Sequence, residues 1–342
     1  MKRCLSFLLL AFALAVPATA NATTYGAGLG GVFINQQRGL WSAANVMSSL
    51  SSLHAAGGRI GRADSDWAGA EPRPPVHGHH TYHWDYDDTI VSEMAQAHLT
   101  WEPTLEFAPK WAQEHKPHVL HLKSGRFVTP LPPAKNSNFA AYATTFMRRY
   151  GAHGSFWQAH RTLPYMPIKT VEVWNEPDNN HNWGPDVDLQ QYAKMYEAVR
   201  TAIHRVNRGT RVMTGGLAWT QSSLPRLLKA FDGKPIDAVA VHPYGPNPKV
   251  TISLAHFAIS EMRKFGRGRT PLVVNEYGWT SERHTWGSTN PKRVPSYAYQ
   301  ALVGLSKLHL YQILPFSWTS PSWGLTGGAF KRAVAHATHN RL

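Results

Sequence analysis

The sequence predicts an α/β chain whose parallel strands close into a (β/α)8 barrel, the TIM barrel, as a single domain. Two observations carry this. Short apolar runs alternate with amphipathic stretches from one end to the other, giving eight strand–helix units. The strand-like runs are continuously apolar rather than alternating, as strands buried on both faces are. Eight such units favour closure into a barrel. A doubly wound open sheet fits the same alternation and stands second.

In order, the expected strands are Gly31–Asn35, Arg59–Asp64, Leu99–Phe107, Thr170–Trp174, Arg211–Gly216, Asp237–His242, Pro271–Glu276 and Tyr311–Trp318. The clearest helix carries Leu189, Tyr192, Met195, Tyr196, Val199, Ile203 and Val206, an i, i+3, i+4 stripe that buries one face. Asp88–His98, Asn138–Tyr150, Ile252–Phe265 and Tyr297–Leu308 read as further helices. Long segments rich in Pro, Gly, His and Trp follow several strands: Ser65–Tyr82, Ala108–Lys135, Asn175–Asp186 and Tyr277–Pro295. They fit the βα loops at the C-terminal end of a barrel, where such folds build their sites. No linker or internal repeat divides residues 23–342.

Residues 1–22 read as a secretory signal peptide. Lys2 and Arg3 precede the apolar run Leu5–Val16, and cleavage is expected after Ala20 or Ala22. The run is shorter than the ~20 residues a membrane span needs, so no stable membrane insertion is expected and the chain would be secreted or periplasmic. Cys4 is the only cysteine and lies inside this segment. The mature chain would therefore carry no disulfide, thiolate metal site or thiol nucleophile. A monomer is expected.

Charge is lopsided, with 35 Lys and Arg against 21 Asp and Glu, a formal net charge of +14. That favours an anionic partner such as an acidic polysaccharide, a membrane surface or nucleic acid. Solubility and habitat are the plain alternative. The basic residues are scattered (Arg148-Arg149, Arg263-Lys264, Arg267, Arg269, Lys292-Arg293) and form no nucleic-acid-binding module, so no nucleic-acid partner is expected.

Val171–Asp178 reads VEVWNEPD and Val273–Trp279 reads VNEYGW. Each places Asn-Glu where an apolar run enters its loop. A barrel brings distant strand ends onto one rim, so Glu176 and Glu276 would face one substrate. Such a pair suits glycosidic cleavage, in which one carboxyl protonates the leaving oxygen while the other attacks or activates water. Strand-end glutamates that cap loops or pair with arginine are the other use of these residues.

The arrangement resembles clan A glycoside hydrolases, nearest to bacterial family 39-like and cellulase-family proteins, over nearly all of residues 23–342. Arg62-Ala-Asp-Ser-Asp-Trp67 through Glu71-Pro72, Phe107-Ala-Pro-Lys-Trp111-Ala and His242-Pro-Tyr244 resemble their strand-two, strand-three and strand-six segments. The histidine that many members carry after strand three has no counterpart. The resemblance implies retention of configuration, with Glu176 as acid/base after the fourth strand and Glu276 as nucleophile at the seventh. It also implies that Asn175 bonds the sugar 2-hydroxyl and that Arg62 and Tyr244 hold Glu276 ionised. His242 would support the acid or a hydroxyl, and Trp318 would offer its face to the sugar. For retention the two carboxyl groups should lie about 5 Å apart.

Thirteen tryptophans are more than a core needs. Trp111, Trp183, Trp219, Trp279 and Trp286 fall in or beside expected βα loops, which suggests a groove with several subsites. The expected activity is hydrolysis of β-linked sugars in an extracellular poly- or oligosaccharide, endo-acting, with an acidic glycan favoured by the charge. An exo-acting β-glycosidase like the family 39 xylosidases, a transglycosylase and a non-catalytic carbohydrate-binding barrel are the alternatives.

No cofactor and no metal are expected. Gly26-Ala-Gly28-Leu-Gly30-Gly31 spells GxGxxG, but with no strand expected before it and a strand expected after it, the dinucleotide context fails. Two histidine clusters, His77, His79, His80 and His83, then His115, His118 and His121, sit in Pro- and Gly-rich loops rather than on the rigid elements that hold metal ligands.

Overall fold

A computed structural model describes residues 22–114, 119–122, 125–128, 130–184, 186–282, 287–318, 323 and 327–339. The expected leader falls almost wholly outside them, as do Trp286, His115 and His118.

Eight parallel strands form the barrel: β1 (Thr24–Gly28), β2 (Ile60–Asp66), β3 (Thr100–Glu106), β4 (Thr170–Val173), β5 (Arg211–Thr214), β6 (Val239–Val241), β7 (Leu272–Val274) and β8 (Gln312–Ile313). They pair in the order β5-β4-β3-β2-β1-β8-β7-β6. Parallel bridges Met213–Ala238 and Leu217–Val241 join β5 to β6 and close the ring. The fold is a single (β/α)8 barrel. Among the described residues no helix is long and apolar enough to cross a membrane.

The outer layer follows from helix periodicity and caps. Leu189–Val206 buries Leu189, Tyr192, Met195, Tyr196, Val199 and Ile203, and Asp188 caps it by accepting from the Gln190 and Gln191 amides. Pro248–Lys264 begins with Asn247 as cap and a proline in its first turn, where the missing N–H is not needed. Helices Ala43–Ala55, Thr220–Phe231 and Gly327–His339 add to the expected set. Pro225 inside Thr220–Phe231 hid that one from the sequence.

The first strand is a correction. Gly31–Asn35 lies in the helix Gly30–Gln37, and β1 lies upstream at Thr24–Gly28. Its sequence, TYGAG, reads as a turn because glycine is rare in strands. Packing requires it here: a Cβ on Gly26 would run into the Ile60 carbonyl, and one on Gly28 into the Phe316 carbonyl. The glycine motif therefore does stand between a strand and a helix, and the ground on which it was set aside falls. What speaks against a phosphate cradle is that Gly26 and Gly28 face neighbouring backbone.

Side-chain alternation places the site. On β3, Trp101 and Leu105 point outward, with Trp101 meeting Phe146 and Tyr150, whereas Thr104 points inward to Glu172. Glu102 and Glu106 share the inward face, and across the β2–β3 register Arg62, Asp64 and Asp66 pair with Glu102, Thr104 and Glu106. The interior beside β2, β3 and β4 is thus polar, with Arg62, Glu102, Thr104 and Glu172 all buried, whereas Met213, Ala238, Ala240 and Val273 form a small apolar cluster on and beside β5, β6 and β7.

Candidate active site

The barrel axis is occupied by Arg62. Its guanidinium donates to Glu172 Oε2 at 2.6 Å, Glu276 Oε1 at 2.7 Å and Asn175 Oδ1 at 3.0 Å. These partners come from the ends of β4 and β7, so one side chain of β2 ties three strands together. Burial alone would raise Glu172, but the charge and hydrogen bond of Arg62 hold it below its usual range. Burial would also lower Arg62; the charges of Glu172, Glu276 and Asp64 overcome this and raise it. The ion pairs are buried, so each partner depends on the others to remain charged.

Glu276 is 6% exposed and receives a second hydrogen bond from the Tyr244 hydroxyl at 2.9 Å, on Oε2. Glu176 reaches the same space from β4 by a distorted route. Trp174 and Glu176 both adopt positive φ, at 66° and 44°, where a side chain strains the backbone by about 1–3 kcal/mol per residue. The Glu176 amide is tied to Gly216 O at 3.2 Å, and Asn179 and Asn182 both donate to Glu176 Oε2, at 3.0 and 2.9 Å. That leaves Oε1 for His242 Nδ1 at 3.0 Å.

His242 lies between the two glutamates, its Nδ1 3.6 Å from Glu276 Oε2. The ring is fully buried, and its Nε2 has no hydrogen-bond partner among the described residues. Gly216 makes room for it: a Cβ there would collide with the imidazole. Burial would lower the His242 pKa, but the charge of Glu276 and the hydrogen bond and charge of Glu176 raise it. For Glu176, burial pulls upward, while His242 and Asn179 bring it below the usual carboxylate range. Both directions favour an imidazolium–carboxylate pair across this hydrogen bond.

Atoms of Glu176, His242 and Glu276 lie within 4.8 Å of one another, a spacing that would also admit a metal ion. Yet these carboxylate oxygens already accept from Arg62, Tyr244, His242, Asn179 and Asn182, and a cation would have to displace those donors. His80 of the first histidine cluster pairs with Glu71 at 2.6 Å and stacks on Tyr82.

Arg62, Asn175, Glu176, His242, Tyr244 and Glu276 thus converge. The expected aromatic residues mostly do not. Trp318 turns away: its Nε1 donates to Ser49 O at 3.1 Å and Ser52 Oγ at 2.9 Å, and its ring meets Phe330. The end of β8 instead presents Phe316, 39% exposed, with Trp323 against it and Tyr244 beyond. Trp183 is fully buried between Trp174 and Tyr192. Trp111 donates to Glu71 O and packs edge-on to Trp67. Trp279 is buried, donating to Gly245 O at 2.7 Å, yet its edge lines a cavity of about 510 Å³ with Trp219, Tyr244 and Pro246. Trp219 is 53% exposed, and its amide is fixed by Asp178 Oδ2 at 2.8 Å. It also lines a second cavity, of about 380 Å³, with Glu176, Asn179, Asn182 and Tyr244.

Sequence reasoning missed Glu172, Asp64, Glu106, Asn179, Asn182 and Gly216. The alternation Arg62-x-Asp64-x-Asp66 and Glu102-x-Thr104-x-Glu106 was the available signal for two of these, Asp64 and Glu106. Polar residues at every second place of an apolar strand mark its inward face.

Fold and carboxylate arrangement together define a (β/α)8 barrel with paired acids at the C-terminal rim. Solved structures with that fold include a monomeric beta-xylosidase from Caulobacter crescentus CB15, to which this chain is 15% identical, with a TM-score of 0.67, over 92% of this chain and 67% of that one. The endoglucanase Cel5A from Thermotoga maritima is 10% identical, with a TM-score of 0.61, over 91% and 96%. The exo-beta-1,4-mannosidase Op5Man5 from Opitutaceae bacterium strain TAV5 is 18% identical, with a TM-score of 0.61, over 94% and 60%. The chain shares the barrel of these three proteins. No family model and no curated protein matches its sequence.

Proposed function

We propose that the chain is an exported, retaining glycoside hydrolase that cleaves β-linked sugars within a glycan chain. The observation that carries this is the triangle of Glu176, His242 and Glu276 within 4.8 Å across the barrel mouth. Carboxyl groups about 5–5.5 Å apart leave room for a sugar carbon but not for an intervening water, which favours double displacement. The xylosidase, mannosidase and endoglucanase folds support the same chemistry.

In the first step Glu276 attacks the anomeric carbon while Glu176 protonates the departing oxygen. That proton is held one hydrogen bond away, on His242 Nδ1, and crosses to Glu176 Oε1 as the bond breaks. Esterified Glu276 no longer carries a charge, so His242 loses the strongest of the charges that raise its pKa. It settles toward neutrality, and Glu176 is free to take the proton of the incoming water. Asn175, whose Oδ1 is occupied by Arg62, keeps its amide N–H groups for a sugar hydroxyl.

The leaving group departs on the Glu176 side, toward the cavities that share Trp219 and Tyr244. A separate cavity of about 320 Å³ is lined by Asp64 and Asp66 of β2. More than one cavity beside the acids supports endo-action. Glu276→Ala and Glu176→Ala variants should fold but lose most turnover on a glycan found by panel screening. Azide should partly restore each, giving glycosyl azides of opposite anomeric form. Parent-like cleavage by both variants would remove the mechanism, and release of single sugars from one chain end would replace endo- with exo-action.

A further inference from the structure

We infer that a hollow at the N-terminal end of the barrel binds a phosphate group, apart from the catalytic mouth and independently of the hydrolase reading. Glu176 and Glu276 follow the ends of β4 and β7, whereas this hollow, of about 460 Å³, is built where strands begin. Lys169 immediately precedes β4, Arg211 opens β5 and Tyr311 immediately precedes β8. Arg208 and Thr210 come from the turn into β5, and Asp237 stands two residues before β6.

The cations here are not matched by the protein's own acids. Asp237, the one acid among the described lining residues, is already engaged. Its Oδ1 accepts from Arg200 at 2.7 Å and its Oδ2 from the Val212 amide at 3.1 Å, with His204 Nε2 at 2.9 Å from that second oxygen. Arg200 stands outside the lining, so Asp237 leaves the three cations within it unanswered. Among the described residues, the side chains of Lys169, Arg208 and Arg211 have neither an ion pair nor a hydrogen bond.

Arg211 is the anchor. Met213 belongs to the inner apolar cluster, and Arg211, two residues earlier on the same strand, shares its inward face. Tyr311 packs on that cluster, and the Arg211 guanidinium lies 4.1 Å from the centre of its ring. Stacking holds a planar fork of N–H donors in place for an oxyanion. The Arg211 amide donates to Lys169 O at 2.8 Å, so the pairing of β4 with β5 sets these two residues side by side. Thr210 is 3% exposed and lines the same hollow, and its hydroxyl has no hydrogen-bond partner among the described residues. A buried hydroxyl without a partner is costly, and a ligand oxygen would supply one.

Three cations against one acid that is itself paired suit a dianion. A phosphate monoester carries about −1.5 to −2 charges at pH 7 and three acceptor oxygens, which fit a guanidinium fork, an ammonium and a hydroxyl. A uronate brings a single charge. The helix Leu189–Val206 ends beside the hollow, and its dipole favours a cation there. That accounts for Arg208, but not for Lys169 and Arg211 at the strand starts. A phosphate-bearing polymer held at this end would leave the mouth around Glu176 and Glu276 open.

The test is calorimetry on the full-length protein, at fixed ionic strength, with inorganic phosphate, glucose 6-phosphate, glucuronate and glucose. At least one phosphate probe should bind, one per chain, at least tenfold tighter than glucuronate and glucose, about 1.4 kcal/mol. Lys169→Gln combined with Arg208→Gln, both at exposed positions, should weaken that binding at least tenfold. Arg211→Gln should abolish it; should that variant fail to fold, the exposed pair carries the test. Lys292→Gln, which removes a charge from an exposed position in the loop after β7, should change nothing. Tighter binding of glucose 6-phosphate than of inorganic phosphate makes the ligand an ester on a sugar; the reverse, or equality, makes it free phosphate. Absence of saturable phosphate binding, glucuronate binding as tightly, or equal losses in Lys292→Gln and the exposed pair would each overturn the inference.

Discussion

Replacing Gly216 by alanine tests whether the His242 ring is the proton store of the site. An added Cβ would lie 2.8 Å from His242 Cε1 and closer still to Cδ2 and Nε2, against an ordinary carbon contact of about 3.5–4.0 Å. The ring must withdraw by well over half an ångström. The 3.0 Å bond from Nδ1 to Glu176 Oε1 is anchored at its far end by Asn179 and Asn182, so it stretches past hydrogen-bonding range. A hydrogen bond to a charged group contributes about 1.5–3 kcal/mol, which corresponds to a loss of about 10- to 150-fold in turnover if the bond is needed at the barrier. Overpacking a full core adds a stability loss of about 1–3 kcal/mol. The Gly216 amide bond to Glu172 Oε1, at 2.8 Å, uses backbone and survives. Urea unfolding gives the stability change, and kcat on the glycan identified by screening gives the activity change. Parent-like values of both would mean that the imidazole does not fill the space above Gly216. A stability loss with parent-like kcat would keep the packing but deny His242 its part in proton transfer.

Arg62→Met should destabilise by about 3–5 kcal/mol in urea unfolding, because Glu172 and Glu276 would be left buried without their cation. Glu102→Gln should raise stability at alkaline pH. Burial, with the charge of Glu172, pushes Glu102 up to about 8, so the folded chain holds a proton there that the unfolded chain, at about 4.3, releases. Between those values the parent should lose stability as pH rises relative to the variant. The advantage should be absent near pH 4, full above pH 8 and worth a few kcal/mol. A pH-independent difference in Tm would contradict this. Trp219→Ala, at a half-exposed position, should change stability by no more than about 0.5 kcal/mol. It should raise KM several-fold for long oligosaccharides and little for short ones, as read from a chain-length series.

Much of this protein is legible before folding. Six of the eight strands fall within the expected runs, and β2 runs two residues past its own, because strands covered by helices on one side and packed within a barrel on the other concentrate apolar residues. Glu176 and Glu276 stood out because Asn-Glu at two strand ends is unusual, and closure brings strand ends together whatever their sequence separation. β1 was misplaced because its glycines serve neighbouring backbone, a need that no local pattern announces. Trp318 was expected in the cleft because it follows β8. But the chain leaves the strand after Ile313, so alternation no longer says which way an indole points, and packing against the Ala43–Ala55 helix decides it.

The sequence alone determined the barrel and its pair of acids, since both follow from short-range pattern and from a closure that needs only eight units. Only the tertiary structure decided the pairing of His242 and the character of the cleft. Two carboxylates from different strands flank His242 and raise its pKa against the pull of burial. The cleft is acidic inside a basic protein because net charge sums over the whole surface, while cleft charge depends on which side of each strand faces in. A shift of one residue along β2 or β3 would turn Asp64 and Glu106 outward at the same composition.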